Sequence, residues 1–355
     1  MGGLALLGKE KGIEITGCDN NIYPPMSDHL KDMGIEIIQG YEASKLPEAD
    51  YFVIGNSISR GNPALEYLLS SKANLISGPE WLYKSILKDK KVIAVSGTHG
   101  KTSTTSIIAS IFNAANLSPT YVVGGQVLSV GRSSNLGDGD YIIVEADESD
   151  GSFLHLQPDI SVITNIDNDH LSFYELNQEK LNQSFVSFAE NLPFYGYILL
   201  NLDDSNIRKI SKDIHRRQIT FGFHSKNRFQ ITDVKLEHGL QNFQLIDRAN
   251  KKHYKFSTNL SGRHNLYNVT AAICVAIEEN ISVKDIAKGL ADFRTPALGR
   301  IVQTRGALWR GGQRCRGEQR AGGSGDAAGG GGAPAGGGGA PAGGGSAPAG
   351  GRTRA

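Results

Sequence analysis

The segment from Val92 to Thr105 constrains the fold more than any other, because it combines a buried strand, a glycine turn and the start of a helix. Four consecutive apolar residues, Val92 to Val95, are typical of a strand that is buried on both faces. From Ser103 to Ala115, apolar residues recur at helical spacing. The turn between the two reads Gly97-Thr98-His99-Gly100-Lys101-Thr102. We therefore predict a strand, a phosphate-binding loop and a helix.

This turn carries the groups that bind a nucleotide triphosphate. Glycines allow backbone N–H groups to turn toward an anion, and the N-terminus of the following helix adds partial positive charge. Lys101 supplies a full positive charge, and the Thr102 hydroxyl can reach Mg2+. The spacing departs from the general pattern, since two residues rather than four separate Gly97 and Gly100. The alternative is an ordinary glycine turn with an exposed lysine.

Two later apolar segments each end in acidic or amide side chains. The first is followed by Glu145, Asp147, Glu148 and Asp150, and the second by Asn165, Asp167, Asp169 and His170. Because the carboxyl ends of parallel strands meet at one edge of a sheet, we expect these groups beside the phosphate loop. Together they favour a divalent cation on a triphosphate, although each segment alone could be a solvated acidic loop.

Helix and strand patterns alternate over most of the chain, and 355 residues suggest two or three domains. We predict an α/β fold with a Rossmann-like first domain over residues 1–89. A second domain over residues 90–294 should carry the phosphate loop on a mostly parallel sheet, with helices over 178–190 and near 205–214. Short strands between 218 and 258 should form a small antiparallel region.

Residues 295–355 differ in composition from the rest of the chain. They include three near-identical Gly-Ala-Pro heptads between 329 and 349, and no leucine, isoleucine, valine or aromatic residue follows Trp309. Such a segment cannot bury a core, so we predict that it is disordered. A frame change or fusion scar would explain the switch in composition, and a natural flexible linker is the alternative.

The overall charge and the cysteines exclude several classes of function. The net charge of +1 gives no general attraction for nucleic acid, and no apolar stretch approaches the roughly 20 residues of a membrane helix. The three cysteines show no pairing or C-x-x-C spacing, which favours a reducing compartment. We predict a cytoplasmic protein with no nucleic-acid partner and no membrane insertion; the sequence does not indicate its oligomeric state.

Three further polar residues could contact a ligand. Asp19 follows a short strand and could bind a ribose or a base, or merely cap a turn. Asn265 and Asn268 lie about one helical turn apart on one face of a predicted helix. They could bind the edge of an adenine, or simply cap the helix.

At this point the motifs resemble one family, the ATP-dependent Mur ligases of peptidoglycan precursor synthesis, in which the short spacing of the phosphate loop is the normal form. The matching segments are Gly97–Thr102, Glu145–Phe153, Thr164–His170, Leu192–Gly196 and Gly262–Asn268. Residues 97–294 look most like members that join L-alanine to UDP-N-acetylmuramate. The first 90 residues resemble members that attach L-alanyl-γ-D-glutamyl-meso-diaminopimelate to the same sugar nucleotide.

The resemblance implies ATP and Mg2+ as cofactors, with UDP-N-acetylmuramate and an amino acid or short peptide as substrates. The sugar carboxylate would become an acyl phosphate, which the amine then attacks. Lys101, Glu145 and His170 would be catalytic, and Thr102, Glu145 and His170 would bind metal. The nucleotide would contact Gly97, Thr98, His99, Gly100, Lys101, Thr102, Ser103, Asn265 and Asn268, with His264 a weaker candidate. Asp19 and Asn62 would contact the UDP moiety.

Two departures from the family affect the expected activity. From the resemblance we expect the tail to stand in place of the family's third domain, which receives the amine, and we expect the first strand and glycine loop of the UDP-binding domain to be absent from this polypeptide. We therefore expect little or no ligase activity from this polypeptide. The alternatives are a non-catalytic Mg-ATP-binding fragment and a folylpolyglutamate synthase, which shares the phosphate loop; residues 145–153 and 192–196 argue against the second.

Overall fold

The computed structural model describes residues 1–293 except positions 25, 56, 89, 128–131, 170 and 172, with backbone alone at 124–127, 132 and 133. All of these residues belong to one contact unit, Met1–Leu308. The predictions made for residues 295–355 and for His170 therefore lie outside the described residues.

The N-terminal region alternates short helices and strands, as predicted. Its strands pair in parallel, β1 with β2 and β3 with β4, but the described residues form two separate two-stranded sheets rather than one. The elements are α1 Gly2–Glu10, β1 Thr16–Asp19, α2 Met26–Asp32, β2 Glu36–Gln39, β3 Phe52–Ile54, α3 Pro63–Ser70, β4 Leu75–Ser77 and α4 Gly78–Leu82.

The N-terminal region packs directly onto the central part of the chain. After α4 the helix continues as a π-helical turn, Tyr83–Leu87. Leu7 of α1 and Leu87 are buried in the same apolar cluster as Phe153 and Phe185 of the central part. This shared cluster fixes the N-terminal region beside the central sheet, while the domain boundary at residue 89 stays a prediction.

The central part is built on one ten-stranded sheet, with strand order β14-β13-β12-β11-β10-β9-β5-β8-β6-β7. Its strands are β5 Lys91–Ser96, β6 Thr120–Val127, β7 Arg132–Asn135, β8 Tyr141–Glu145, β9 Ile160–Ile163, β10 Tyr197–Asn201, β11 Arg217–Gly222, β12 Phe229–Glu237, β13 Leu240–Asp247 and β14 Lys252–Thr258. The middle of the sheet is parallel from β6 to β12, which confirms the predicted α/β class.

Antiparallel pairs lie at both ends of this sheet. The antiparallel region predicted between residues 218 and 258 contains β12, β13 and β14, which do pair in this way, but the prediction is wrong for its first strand, β11, which pairs in parallel with both β10 and β12. A second antiparallel pair, β6 with β7, lies at the other edge and was not predicted.

Helices cover both faces of the sheet, which explains why β5 is apolar at consecutive positions. Ile93 and Val95 belong to the cluster on one face, and Val92 and Ala94 to the cluster on the other. The helices of this part are α5 Lys101–Ala114, α6 Gln178–Glu190, α7 Ser205–Ile210, α8 Arg263–Glu278 and α9 Val283–Asp292. None of the described helices is long and apolar enough to cross a membrane.

Local capping sets the ends of two predicted helices. The Asn177 side chain accepts hydrogen bonds from the first-turn amides of α6, which occupies the predicted span 178–190. The helix predicted near 205–214 ends earlier, at Ile210. Gln218 Nε2 donates to the carbonyls of Ser211 and Ile214, so side-chain bonds replace the continued helix there.

Candidate functional site

The phosphate loop lies between the C-terminal end of β5 and the first turn of α5. Gly97 has φ of 129° and Gly100 has φ of 84°, a backbone region that side chains disfavour. A Cβ on Gly97 would lie 2.2 Å from Thr164 Oγ1, and one on Gly100 would lie 2.4 Å from Asn268 Oδ1. Both glycines are therefore required by neighbouring side chains as well as by the turn.

The two residues between the glycines face the segment that follows β9. The backbone N–H groups of Thr98 and His99 donate to Asn165, at 3.0 Å and 2.8 Å. The His99 ring is exposed, with Nε2 3.4 Å from Asp169 Oδ2. Because the amides of Thr98 and His99 already donate hydrogen bonds to Asn165, an anion would bind to the N–H groups of the first turn of α5, which have no partner within the helix.

The Lys101 ammonium lies at the start of α5, where it is held on two sides. Its Nζ donates to Gly97 O at 2.9 Å and to Glu148 Oε2 at 2.8 Å, and Asp147 Oδ1 is 3.7 Å away. Glu148 is fully buried, and its Oε1 atom has no hydrogen-bond partner. Burial raises the pKa of Glu148, while the nearby Lys101 charge opposes that rise. The sequence placed Glu148 at a strand end but did not predict this ion pair.

The Thr102 hydroxyl faces the end of β8. Its Oγ1 lies 3.0 Å from both carboxylate oxygens of Glu145. A hydroxyl and a carboxylate at a helix N-terminus are oxygen ligands of the kind Mg2+ prefers. No group of three His, Cys, Asp or Glu side chains in the described part could hold a metal alone. Mg2+ fits this pair only with phosphate oxygens as further ligands, which is its usual mode of binding to nucleotides.

A cavity of about 390 Å3 opens beside the loop. It is lined by His99, Gly100 and Ser103 from the loop and by His264, Asn265 and Asn268 from the start of α8. Asn268 is only 6% exposed, and its side chain makes no hydrogen bond to any described residue. A buried amide without a partner is costly, so this side chain is suited to bind a polar ligand in the cavity.

Asp203 and Tyr267 also line this cavity, although neither was predicted as a site residue, and Phe223 and Arg263 contact them from outside the lining. Asp203 follows β10 and accepts hydrogen bonds from Tyr267 Oη at 2.9 Å and from the Phe223 amide at 2.6 Å. The Arg263 guanidinium lies over the Phe223 ring, 4.6 Å from its centre. The signal was available in the sequence, because Asp203 follows an apolar strand just as Asp147 and Asp167 do.

Asn265 lines the same cavity, but the two residues predicted to bind UDP do not. Asn265 Nδ2 donates to Ser261 O at 2.8 Å. Asp19 Oδ1 accepts from the Asn21 amide at 2.9 Å. The Asn62 side chain accepts from the first amides of α3 and thus caps that helix. Both residues have local structural roles, and their contact with a substrate stays a prediction.

Two family profiles match most of the described chain. The Mur ligase middle domain matches residues 95–276, which contain the loop, the ion pair and the cavity. The catalytic domain profile of the Mur ligase family matches residues 1–90.

Three individual proteins are similar to this chain over the same region. A UDP-N-acetylmuramate–L-alanine ligase of Vesicomyosocius okutanii subsp. Calyptogena okutanii is 40% identical over 294 residues, which are 82% of this chain and 62% of that protein. A solved UDP-N-acetylmuramate:L-alanyl-gamma-D-glutamyl-meso-diaminopimelate ligase from Neisseria meningitides has a TM-score of 0.76 at 29% identity, covering 84% of this chain and 95% of that one. A UDP-N-acetylmuramate-alanine ligase from Thermotoga maritima shares the fold, with a TM-score of 0.72 at 22% identity over 83% of this chain and 66% of that one.

Proposed function

The chain belongs to the Mur ligase family, and we propose that it binds Mg-ATP and joins L-alanine to UDP-N-acetylmuramate. The observation that carries the proposal is the geometry at the first turn of α5, where Lys101 Nζ donates to Gly97 O at 2.9 Å and Thr102 Oγ1 lies 3.0 Å from both carboxylate oxygens of Glu145. The L-alanine ligase at 40% identity supports the choice of amine. The chain spans 62% of the length of that relative, and the ligase activity of the whole relative is therefore part of the proposal for this chain.

The residues at the loop would bind and orient the triphosphate. The N–H groups that open α5 and the Lys101 ammonium would hold the β and γ phosphates. Thr102 Oγ1 and Glu145 would hold Mg2+, with His170 as a further ligand. The metal, when bound, neutralises charge that develops on the transferred phosphoryl group. Asn265 and Asn268 would contact the adenine from the cavity beside the loop.

The proposed reaction has two steps that balance without another reactant. An oxygen of the UDP-N-acetylmuramate carboxylate attacks the γ-phosphorus, and ADP leaves. The amine nitrogen then attacks the carbonyl carbon, inorganic phosphate leaves, and the amine loses a proton. Because phosphoryl transfer depends mainly on position and charge, the contribution of this chain is to fix both ends of the triphosphate.

We also propose a division of labour along the chain. Residues 1–89 would hold the UDP moiety, with Asp19 and Asn62 as contacts, and residues 90–294 would bind ATP. A cytoplasmic location is consistent with the free thiols of Cys18 and Cys274.

A second candidate is the ligase that attaches a tripeptide to the same sugar nucleotide. It is favoured by the Neisseria meningitides structure at 29% identity, which is a UDP-N-acetylmuramate:L-alanyl-gamma-D-glutamyl-meso-diaminopimelate ligase. The two candidates share the sugar nucleotide and differ only in the amine, so the loop geometry does not separate them.

Phosphate release from ATP tests the proposal directly. The purified protein is incubated with Mg-ATP and UDP-N-acetylmuramate, together with L-alanine, with the tripeptide, or with neither. Release that depends on L-alanine supports the proposal, and release that depends on the tripeptide alone would assign the second candidate. If the protein binds ATP but its release of phosphate does not depend on either amine, the chain binds the nucleotide without acting as a ligase.

A further inference from the structure

We propose that Asn165 is a positioning residue that holds the phosphate loop in its binding shape, an inference that rests on the proposed nucleotide-binding function. The side-chain amide of Asn165 bonds to both backbone groups of His99. His99 N–H donates to Asn165 Oδ1 at 2.8 Å, and Asn165 Nδ2 donates to His99 O at 2.8 Å. Only one orientation of the amide satisfies both bonds, so its donor and acceptor are both committed.

Neighbouring groups complete the attachment of the loop to this segment. Thr98 N–H donates to Asn165 O at 3.0 Å, and Thr164 Oγ1 donates to His99 O at 2.7 Å. Asp167 N–H donates to Thr98 Oγ1 at 2.9 Å. We refer to these contacts of Thr164, Asn165 and Asp167 with the loop as the clamp. The clamp lies so close to the backbone at Gly97 that any side chain there would collide with Thr164.

The clamp sets which amides can bind phosphate. It turns the N–H groups of Thr98 and His99 toward Asn165, so the free donors are those at the start of α5. It also fixes the backbone between the glycines before a ligand arrives. Without it, the loop would have to be ordered during binding, and the lost conformational entropy would lower affinity for the phosphates.

The test is Asn165→Ala, which removes both side-chain bonds to His99. ATP and AMP compete with a fluorescent ATP analogue in the presence of Mg2+. We expect affinity for ATP to fall about tenfold, the effect of losing roughly one hydrogen bond's net contribution. AMP affinity should change much less, because AMP lacks the β and γ phosphates that the loop holds. The ATP-to-AMP affinity ratio therefore falls.

The matched control is Asn206→Ala. Asn206 Nδ2 donates to Ile166 O at 2.8 Å, so it supports the same segment without contacting the loop. A merely structural effect lowers the fraction of competent sites and leaves the ratio unchanged, as we expect for this control. If Asn165→Ala does not fold, Asn165→Asp keeps the acceptor for His99 N–H, loses the donor, and should lower the same ratio.

Two negative results are distinguishable. If the wild-type protein binds ATP and the Asn165 variants keep the wild-type ratio, the clamp is refuted and the proposed function stands. If the folded wild-type protein does not bind Mg-ATP, the proposed function fails, and the inference fails with it.

Discussion

Replacing Lys101 with methionine should destabilise the protein as well as weaken nucleotide binding. Lys101 Nζ and Glu148 Oε2 are 2.8 Å apart, and their side chains are 11% and 0% exposed. Breaking a buried ion pair by removing one partner leaves an uncompensated charge and costs about 3–5 kcal/mol. Methionine has nearly the volume of lysine, so a cavity contributes little to this loss. We expect a loss in that range at neutral pH.

The loss should depend on pH in a defined direction. Burial raises the pKa of Glu148 in the folded protein above its ordinary value of 4.5, and Lys101 opposes that rise. Without Lys101 the pKa of Glu148 rises further, and the folded state binds the proton more tightly than the unfolded state. Stability of the variant therefore falls, relative to wild type, as pH rises above the ordinary carboxyl pKa of 4.5. As pH falls toward that value the difference should shrink, because Glu148 is then protonated in both the folded and the unfolded state.

Urea unfolding of wild type, Lys101→Met and Lys101→Met/Glu148→Gln at several pH values measures this effect. The double variant should recover most of the loss and show little of the pH dependence. Lys84→Met is the matched control: Lys84 pairs with Glu80 at 2.7 Å with both side chains exposed, so its stability should stay close to that of wild type at every pH. Wild-type stability of Lys101→Met at pH 8, or a deficit that Glu148→Gln leaves in place, would refute the reasoning.

Three further substitutions test other parts of the structure. Gly100→Ala places a side chain at φ 84° against Asn268, so urea unfolding should show a loss of at least about 1–2 kcal/mol, with weaker ATP binding. Glu279→Ala deprives Lys91 of a partner 2.6 Å away, and the melting temperature should fall while nucleotide affinity stays unchanged. Leu7→Ala opens a cavity in a fully buried position, and its unfolding free energy should fall by about 2–5 kcal/mol.

Each of these has a contradicting result. Unchanged stability and ATP affinity of Gly100→Ala would mean that the loop does not need a positive φ there. A change in nucleotide affinity for Glu279→Ala would connect the far end of the sheet to the loop. Wild-type stability of Leu7→Ala would mean that the N-terminal region does not share the central core.

The strand, loop and helix from β5 to α5 were predictable because each has a local signal. Consecutive apolar residues indicate a strand covered on both faces, and glycines with Lys101 and Thr102 indicate the turn. From the sequence, both glycines are explained by the need to turn backbone N–H groups toward an anion. The structure adds a second reason, because a side chain on Gly97 would collide with Thr164 and a side chain on Gly100 would collide with Asn268. These residues are far apart in the chain, so the sequence does not show that they are neighbours.

Other features were missed, some because they depend on tertiary contacts and one because a local signal was read differently. Residues 145–153 contain four acidic residues, one of which is Glu148. Only its burial against Lys101 distinguishes Glu148 from Asp147, whose side chain is 55% exposed. The signal for the β6–β7 pair was weak because two glycines interrupt β6, which reads TYVVGGQV, and because β7, which reads RSSN, has no apolar residue. Asn62 was predicted as a ligand contact, yet its side chain caps α3, a local role that the following Pro63 also favours.

The central claim is that the loop from Gly97 to Thr102 binds the triphosphate of Mg-ATP. Calorimetric titration of ATP into the wild-type protein and the Lys101→Met/Glu148→Gln variant, with Mg2+ and with EDTA, tests it most directly. We predict saturable binding that requires Mg2+ and is at least about tenfold weaker in the variant, which lacks the charged donor to phosphate. Equal affinity of the two folded proteins, or no binding by the wild type, would contradict the claim.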